Sequence, residues 1–280
     1  MRRIRFLPAV TWIYVVWSLL PVLLAIRFAF NEGRSRTSTQ GFSLRWFWTD
    51  PTLSVRNDPT LWAALQHSLV LAGLAMLIAT PLGTALAIGL QRWRGRGSGV
   101  SNVLMLLPLV TPELVFAVGL FLLFTSAFGF IGLGTTAQVI GHVTFSLSWV
   151  VLIVRGRLVM IGRDVEEAAA DLGAPPTHVL RRVLLPLLAP AIAAAMLSTF
   201  ALSIDDFVVA QYMASGADTT TVPMRIYATA RAAPTPALNA LATVMLVFSL
   251  LALVLAWLLF KRLARGQETS VSTFAAGTAQ

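Results

Sequence analysis

The sequence predicts an all-α membrane protein with six transmembrane helices, and three observations carry that expectation. The chain is 57% hydrophobic and only 12% charged over 280 residues, with a mean hydropathy of +0.77. So little polar surface cannot clothe a water-soluble body, and lipid must be the main solvent. The apolar runs are long and continuous rather than alternating. A backbone in hydrocarbon must satisfy its own hydrogen bonds, and a helix needs about 20 apolar residues to cross, so runs of this kind select helices over a closed barrel. Finally, the basic residues behind the net charge of +9 sit in short clusters between the runs. That is a topology pattern rather than a nucleic-acid-binding face, and no nucleic-acid partner is expected.

In chain order, the first span is expected at 8–29. Its basic start, Met1 to Arg5, resembles a signal peptide, but the apolar stretch from Pro8 to Ile26 is long and no small-x-small cleavage site precedes Arg27, so an uncleaved span is expected. The loop at 31–66 carries Trp46, Trp48 and Trp62 and suits an interfacial segment on the outer face. Further spans follow at 67–90, 101–124, 137–158, 188–211 and 238–260. The tail from Gly266 to Gln280 is small and polar and reads as disordered. The chain thus divides into an N-terminal span and loop (1–65), a transmembrane core (66–260) and a cytoplasmic tail (261–280). Cysteine is absent, which excludes disulfides, thiolate chemistry and cysteine-held metals.

Six spans place both termini on one side. If that side is the cytoplasm, Arg2, Arg3, Arg5, Arg92, Arg94, Arg96, Arg155, Arg157, Arg163, Arg181, Arg182, Lys261, Arg262 and Arg265 lie inside. Arg27, Arg34, Arg36, Arg45, Arg56, Arg225 and Arg231 then lie outside. This fourteen-to-seven bias predicts cytoplasmic termini in a multi-pass protein of the bacterial cytoplasmic (inner) membrane.

The segment Arg163 to Pro190 is unlike an ordinary connection. Val165 to Leu172 is rich in alanine and glutamate and reads as a short helix. Gly173 supplies the positive φ that ends it, and Pro175 or Pro176 suits the first turn of a second helix ending near Arg182. Asp164, Glu166 and Glu167 complement the positive end of the first helix, and Arg181 and Arg182 the negative end of the second. Such a helix-turn-helix is too polar for lipid and needs another protein surface.

Glu167, Ala168, Ala169, Gly173, Val183 and Leu185-Pro186, at their spacing over 163–187, resemble the EAA motif of ABC importer permeases, with Val183 in place of the usual isoleucine. The resemblance implies a type I, MetI-like ABC importer transmembrane domain whose loop docks in a cleft of the ATP-binding subunit. Ser203 to Phe207, Thr221 to Tyr227, Pro236, Asn239 to Thr243, Gly141 to Phe145 and Pro108 to Glu113 are similar to the spermidine/putrescine branch, particularly its second permease subunit. It implies a path for a small cationic solute such as a polyamine. The partners implied are a second permease subunit, a dimer of ATP-binding subunits that hold ATP and Mg, and a periplasmic or extracytoplasmic solute-binding protein. Span 1 would then wrap a neighbouring subunit, and nucleotide-driven closure would switch spans 2 to 6 from inward-open to outward-open.

Three carboxylates fall within spans, where each costs at least about 2.5 kcal/mol and so asks for a reason. Glu113 lies twelve residues into the third span, after Pro108 and Pro112; it either lines a path for a cation or caps the helix restarting beyond Pro112. Asp205 and Asp206 fall near the outer end of the fifth span. On a continuous helix they point about 100° apart, so one is expected on the path while the other pairs with an arginine such as Arg225 or steadies the outer loop. His67, His142 and His178 are scattered, and no metal site is expected.

A P-loop needs a lysine followed by serine or threonine, and the single lysine, Lys261, is followed by Arg262, so the chain is expected to be a transport subunit rather than an enzyme. A permease for a different small solute remains the alternative within the class. A proton-coupled secondary transporter leaves 163–186 unexplained and predicts two matching halves that are not seen. An intramembrane hydrolase lacks a GxSxG serine.

Overall fold

The structure is a computed structural model that describes residues 6–35, 38–232 and 235–277. Arg2, Arg3, Arg5 and Arg36 of the topology count lie outside the described residues. The helices are α1 (Phe6–Ala29), α2 (Pro59–Arg92), α3 (Ser98–Val110), α4 (Glu113–Leu122), α5 (Thr135–Ile161), α6 (Asp164–Asp171), α7 (Pro176–His178), α8 (Leu185–Asp205), α9 (Val208–Met213), α10 (Val222–Ala232) and α11 (Pro236–Gly277). Among the described residues, five stretches are long and apolar enough to cross a membrane: Pro8–Ala29, Pro59–Arg92, Thr135–Ile161, Pro176–Asp205 and Pro236–Leu255. The sixth expected span is α3 with α4 and its continuation to Ala127, bent by 108°.

That bend falls at Pro112, where a break in the third span is expected, while Pro108 stays inside α3. Thr111 and Pro112 are both extended, with ψ of 131°. A residue before proline is driven out of the α region, and proline cannot donate the next helical bond, so the chain turns there. Glu113 therefore starts a new helix rather than sitting twelve residues down an old one.

The chain forms two compact units. One comprises residues 1–66 and 221–247. Its α1 window leaves none of its residues buried, and Trp12, Ile13, Tyr14 and Trp17 are all more than 60% exposed. The segment after it folds around Asn31, whose Nδ2 donates to the carbonyls of Gly33, Ser35 and Ser38 while its Oδ1 accepts the Gln40 N–H. Trp46 is fully buried and donates its indole N–H to the Asn31 carbonyl at 2.5 Å. It is thus a core residue of the loop and not an interfacial anchor, whereas Trp48 and Trp62 are exposed. Asp50 accepts from Arg45 at 2.7 Å and from the N–H groups of Leu53 and Thr52. The Arg45 guanidinium and those N–H donors hold its carboxyl down to about 2. The second span starts earlier than expected, at Pro59, because Asp58 accepts the N–H groups of Thr60 and Leu61 as an N-cap.

The other unit comprises residues 67–220 and 248–280. Its centre is α5, packed against α8 through Val150, Val151, Val154, Leu184, Leu188 and Ala195. A second cluster joins Ala117, Phe124 and Ala137 to Val209 and Met213. A Cβ on Gly141 would lie 2.7 Å from Val209, so the close contact of α5 with α9 requires glycine there. Helix α11 continues to Gly277, through the stretch whose composition reads as disordered. No proline interrupts it, and leucine, alanine, arginine and glutamine are compatible with helix.

Candidate functional sites in the polar turn and the membrane cavity

The polar turn begins where α5 ends at Gly162. Helix α6 starts at Asp164 with Asp164, Glu166 and Glu167 in its first turn, against the positive end of its dipole. It stops at a Schellman turn: the Gly173 N–H bonds the Ala170 carbonyl at 2.8 Å and the Ala174 N–H the Ala169 carbonyl at 3.1 Å. Gly173 has φ +83°, which glycine alone adopts without strain. Glu167, Ala168 and Gly173 are exposed, and so is Leu172, at 89%. The side of α6 away from this surface is tied down, since Arg92 at the end of α2 forms an ion pair with Glu166.

The second helix of this turn does not end near Arg182. Pro176 starts it, as expected, but the chain passes through a π-helical stretch at Val179–Leu184 into α8 without a break. Arg181 and Arg182 therefore sit mid-helix and do not complement a helix end. The half-buried Val183 lies in the π-helical stretch, and Pro186 stands just beyond it, where α8 begins.

The second site is a cavity of about 710 Å³ lined by α4, α5, α8 and the break after α8. Glu113, Asp205 and Asp206 all line it, together with Phe145, Trp149 and Phe207. Asp205 is the last residue of α8, and Asp206 is extended, with φ −66° and ψ 125°. The 100° separation of a continuous helix therefore does not apply, and both aspartates reach one cavity. Asp205 is exposed, while the Asp206 side chain is 8% exposed.

Asp206 is held: Oδ1 accepts the Ala210 N–H at 3.2 Å, capping α9, and its carboxyl is within hydrogen-bonding reach of Glu113. Pro112, the N-cap of α4, makes no side-chain cap bond, and Glu113 stands in the first turn of that helix. Arg225 donates to the Thr60 hydroxyl. The polar groups behind the cavity were not read from the sequence. His142 bonds Ser203 Oγ through Nδ1 at 2.7 Å, and its Nε2 lies 3.9 Å from Asp206. Gln138 Oε1 accepts from His67 Nε2 at 2.7 Å, and its Nε2 donates to the carbonyls of Ala210 and Thr219. Gln138 and His142 are four residues apart on α5, as are Phe145 and Trp149, and helical spacing was the available signal.

The chain is thus a multi-span helical protein with a carboxylate-lined cavity among its apolar helices and a polar turn at one end. The chain belongs to the family of binding-protein-dependent transport system inner membrane components, whose model matches residues 79–266. It is 35% identical over 260 residues to the spermidine/putrescine transport system permease protein PotC of Haemophilus influenzae, covering 92% of this chain and 98% of that protein. It is likewise 35% identical to the putrescine transport system permease protein PotI of Escherichia coli K12, over 86% of each. Among solved structures, it resembles a bacterial ABC transporter involved in import of alginate, with TM-score 0.70 and 17% identity over 93% of this chain and 95% of that one. The MetNI methionine ABC transporter matches with TM-score 0.56 and 17% identity, over 72% and 93%. The fold is thus the MetI-like ABC importer transmembrane domain, and the chain is an inner-membrane transport subunit rather than an enzyme.

Proposed function

We propose that this permease carries a polyamine, putrescine or spermidine, and that the carboxylates Glu113, Asp205 and Asp206 line its route. The observation that carries this reading is the pairing of those three acids with the aromatic rings of Phe145, Trp149 and Phe207 in one cavity. No arginine or lysine is among the described lining residues. Carboxylates attract an ammonium group, and aromatic faces stabilise it where water is scarce. The 35% identity to PotC and PotI supports the same solute class.

In this reading the surface of Glu167, Ala168, Ala169 and Gly173, with Val183 and Pro186 behind it, docks on an ATP-binding subunit. A dimer of such subunits holds ATP and Mg, a second permease subunit completes the conduit, and an extracytoplasmic binding protein delivers the solute. The bare apolar surface of α1 suits packing on that second permease, and both termini face the cytoplasm. Nucleotide-driven closure then alternates the access of the conduit by a rigid-body movement.

Uptake of labelled putrescine and spermidine by the assembled transporter in proteoliposomes tests the solute and the route together. Asp205→Asn removes an exposed charge that has no cap to hold, and should lower uptake at subsaturating solute about tenfold with normal assembly. Asp206→Asn keeps a side-chain oxygen that can accept the Ala210 N–H, so α9 should keep its cap. Full uptake in both variants and in the double variant would refute the route. Absence of polyamine uptake by the unaltered transporter would refute the solute.

A further inference from the structure

We infer that the groove between the end of α2 and the start of α3 binds one anionic glycerophospholipid, its acyl chain in the groove and its phosphate on the turn that joins the helices. The groove measures about 580 Å³. Ala85 and Gly89 form one side, Ser101, Leu104 and Met105 the other, and Trp93 stands at the end nearest the turn. Every one of these residues except Ser101 is apolar, so the groove accepts hydrocarbon and offers nothing to a polar solute.

The turn is built rather than loose. Ser98 Oγ donates to the Trp93 carbonyl at 2.8 Å, and the Ser98 N–H bonds the Gly95 carbonyl. The Trp93 ring folds back on the turn so closely that a Cβ on Gly95 would lie 2.5 Å from its Nε1. Amphipathic tryptophan at such a place marks the depth of lipid headgroups.

The charge at this end of the groove is positive and uncompensated. Arg94 and Arg96 are exposed and have no ion-pair or hydrogen-bond partner among the described residues. Arg92 next to them is already paired with Glu166. Helix α3 starts at Ser98 with no side-chain cap and no acid in its first turn, so no carboxylate offsets its positive end. Two free arginines beside an apolar groove, at a tryptophan-marked depth, have the charge and shape of a phosphate with a hydrocarbon tail.

The full transporter, purified and delipidated, would be titrated with phosphatidylglycerol and with phosphatidylcholine and read by native mass spectrometry. The unaltered complex should hold phosphatidylglycerol in preference. In the Arg94→Gln/Arg96→Gln double variant this preference should fall about thirtyfold, the equivalent of about 1 kcal/mol for each arginine near an anionic surface. Phosphatidylcholine binding should not change. Gly89→Phe should weaken both lipids, and because a Cβ at Gly89 meets nothing within 4 Å, the fold should tolerate it. Equal binding of the two lipids by the unaltered complex, or phosphatidylglycerol binding that ignores both variants, would overturn the inference. So would a Gly89→Phe complex that keeps its lipid but loses a subunit, since the groove would then hold a partner's helix.

Discussion

Replacing Gly173 by valine tests the polar turn at its most constrained point. The backbone there has φ +83°, and an L-residue in the left-handed region costs about 1–2 kcal/mol, at the upper end for a β-branched side chain. No atom lies within 4 Å of a Cβ at this position, so within this chain the cost is conformational and not steric. If the turn opens to relieve it, the bonds from Gly173 to Ala170 and from Ala174 to Ala169 are lost, at about 0.5–1.5 kcal/mol each. The perturbation therefore amounts to the cheaper of the two, about 1–2 kcal/mol, concentrated on an eight-residue helix that has little stability of its own. No span is touched, so the variant should insert in normal amount. ATP hydrolysis stimulated by the loaded binding protein should collapse. A graded series sharpens the assay: asparagine tolerates the left-handed region and should retain more coupling than alanine, and alanine more than valine. Full stimulation and full uptake in the valine variant would refute the claim that this turn is the docking element.

Three further outcomes are expected. Glu167→Lys puts a positive charge at the positive end of α6, costing about 0.3–1 kcal/mol, and should weaken co-purification of the ATP-binding subunit; unchanged recovery would count against the docking surface. The depressed Asp50 carboxyl stabilises the loop fully above its ordinary value of 3.8 and loses that contribution as pH falls towards about 2, so limited proteolysis of residues 30–58 should accelerate across that window, and Asp50→Asn should abolish the pH dependence. A reporter fused after Gly266 should report cytoplasm and one near Ala217 the outside; the reverse pair would overturn the orientation and the docking surface with it.

Much of the fold is legible in the sequence because apolar length is a strong signal: Pro8, Thr135 and Pro236 begin spans close to where hydropathy places them. The helix end at Gly173 is legible for a different reason, since a glycine after an alanine-rich helix has one backbone task. What hydropathy does not convey is direction. Pro112 announces a break, but a 108° bend depends on what α4 packs against after the break. A continuous helix would point the two aspartates about 100° apart, yet α8 ends between them, so that separation does not hold for a reason of backbone geometry. Trp46 looked interfacial because composition does not reveal that Asn31 offers a carbonyl to its indole. His142 and Gln138 were invisible as a network because their partners, Ser203, Ala210 and Thr219, lie more than sixty residues away in sequence.

The unbroken helix from Pro176 to Asp205 joins the two sites in a mechanical sense. Thirty residues at 1.5 Å each make a strut of roughly 45 Å, with the polar turn at one end and the cavity carboxylates at the other. A hydrogen-bonded helix is stiff along its axis, so the part beyond Leu184 carries a push towards Asp205, while the turn side can yield first. Its weak joints are the π-helical stretch at Val179–Leu184, where the bonding pattern has slack, and Pro186 and Pro190, which donate no helical bond. Leu184 and Leu188 are wholly buried against α5, so slack there is spent on the turn side. The far end, with Asp205 at its tip, moves as one body with the packed core.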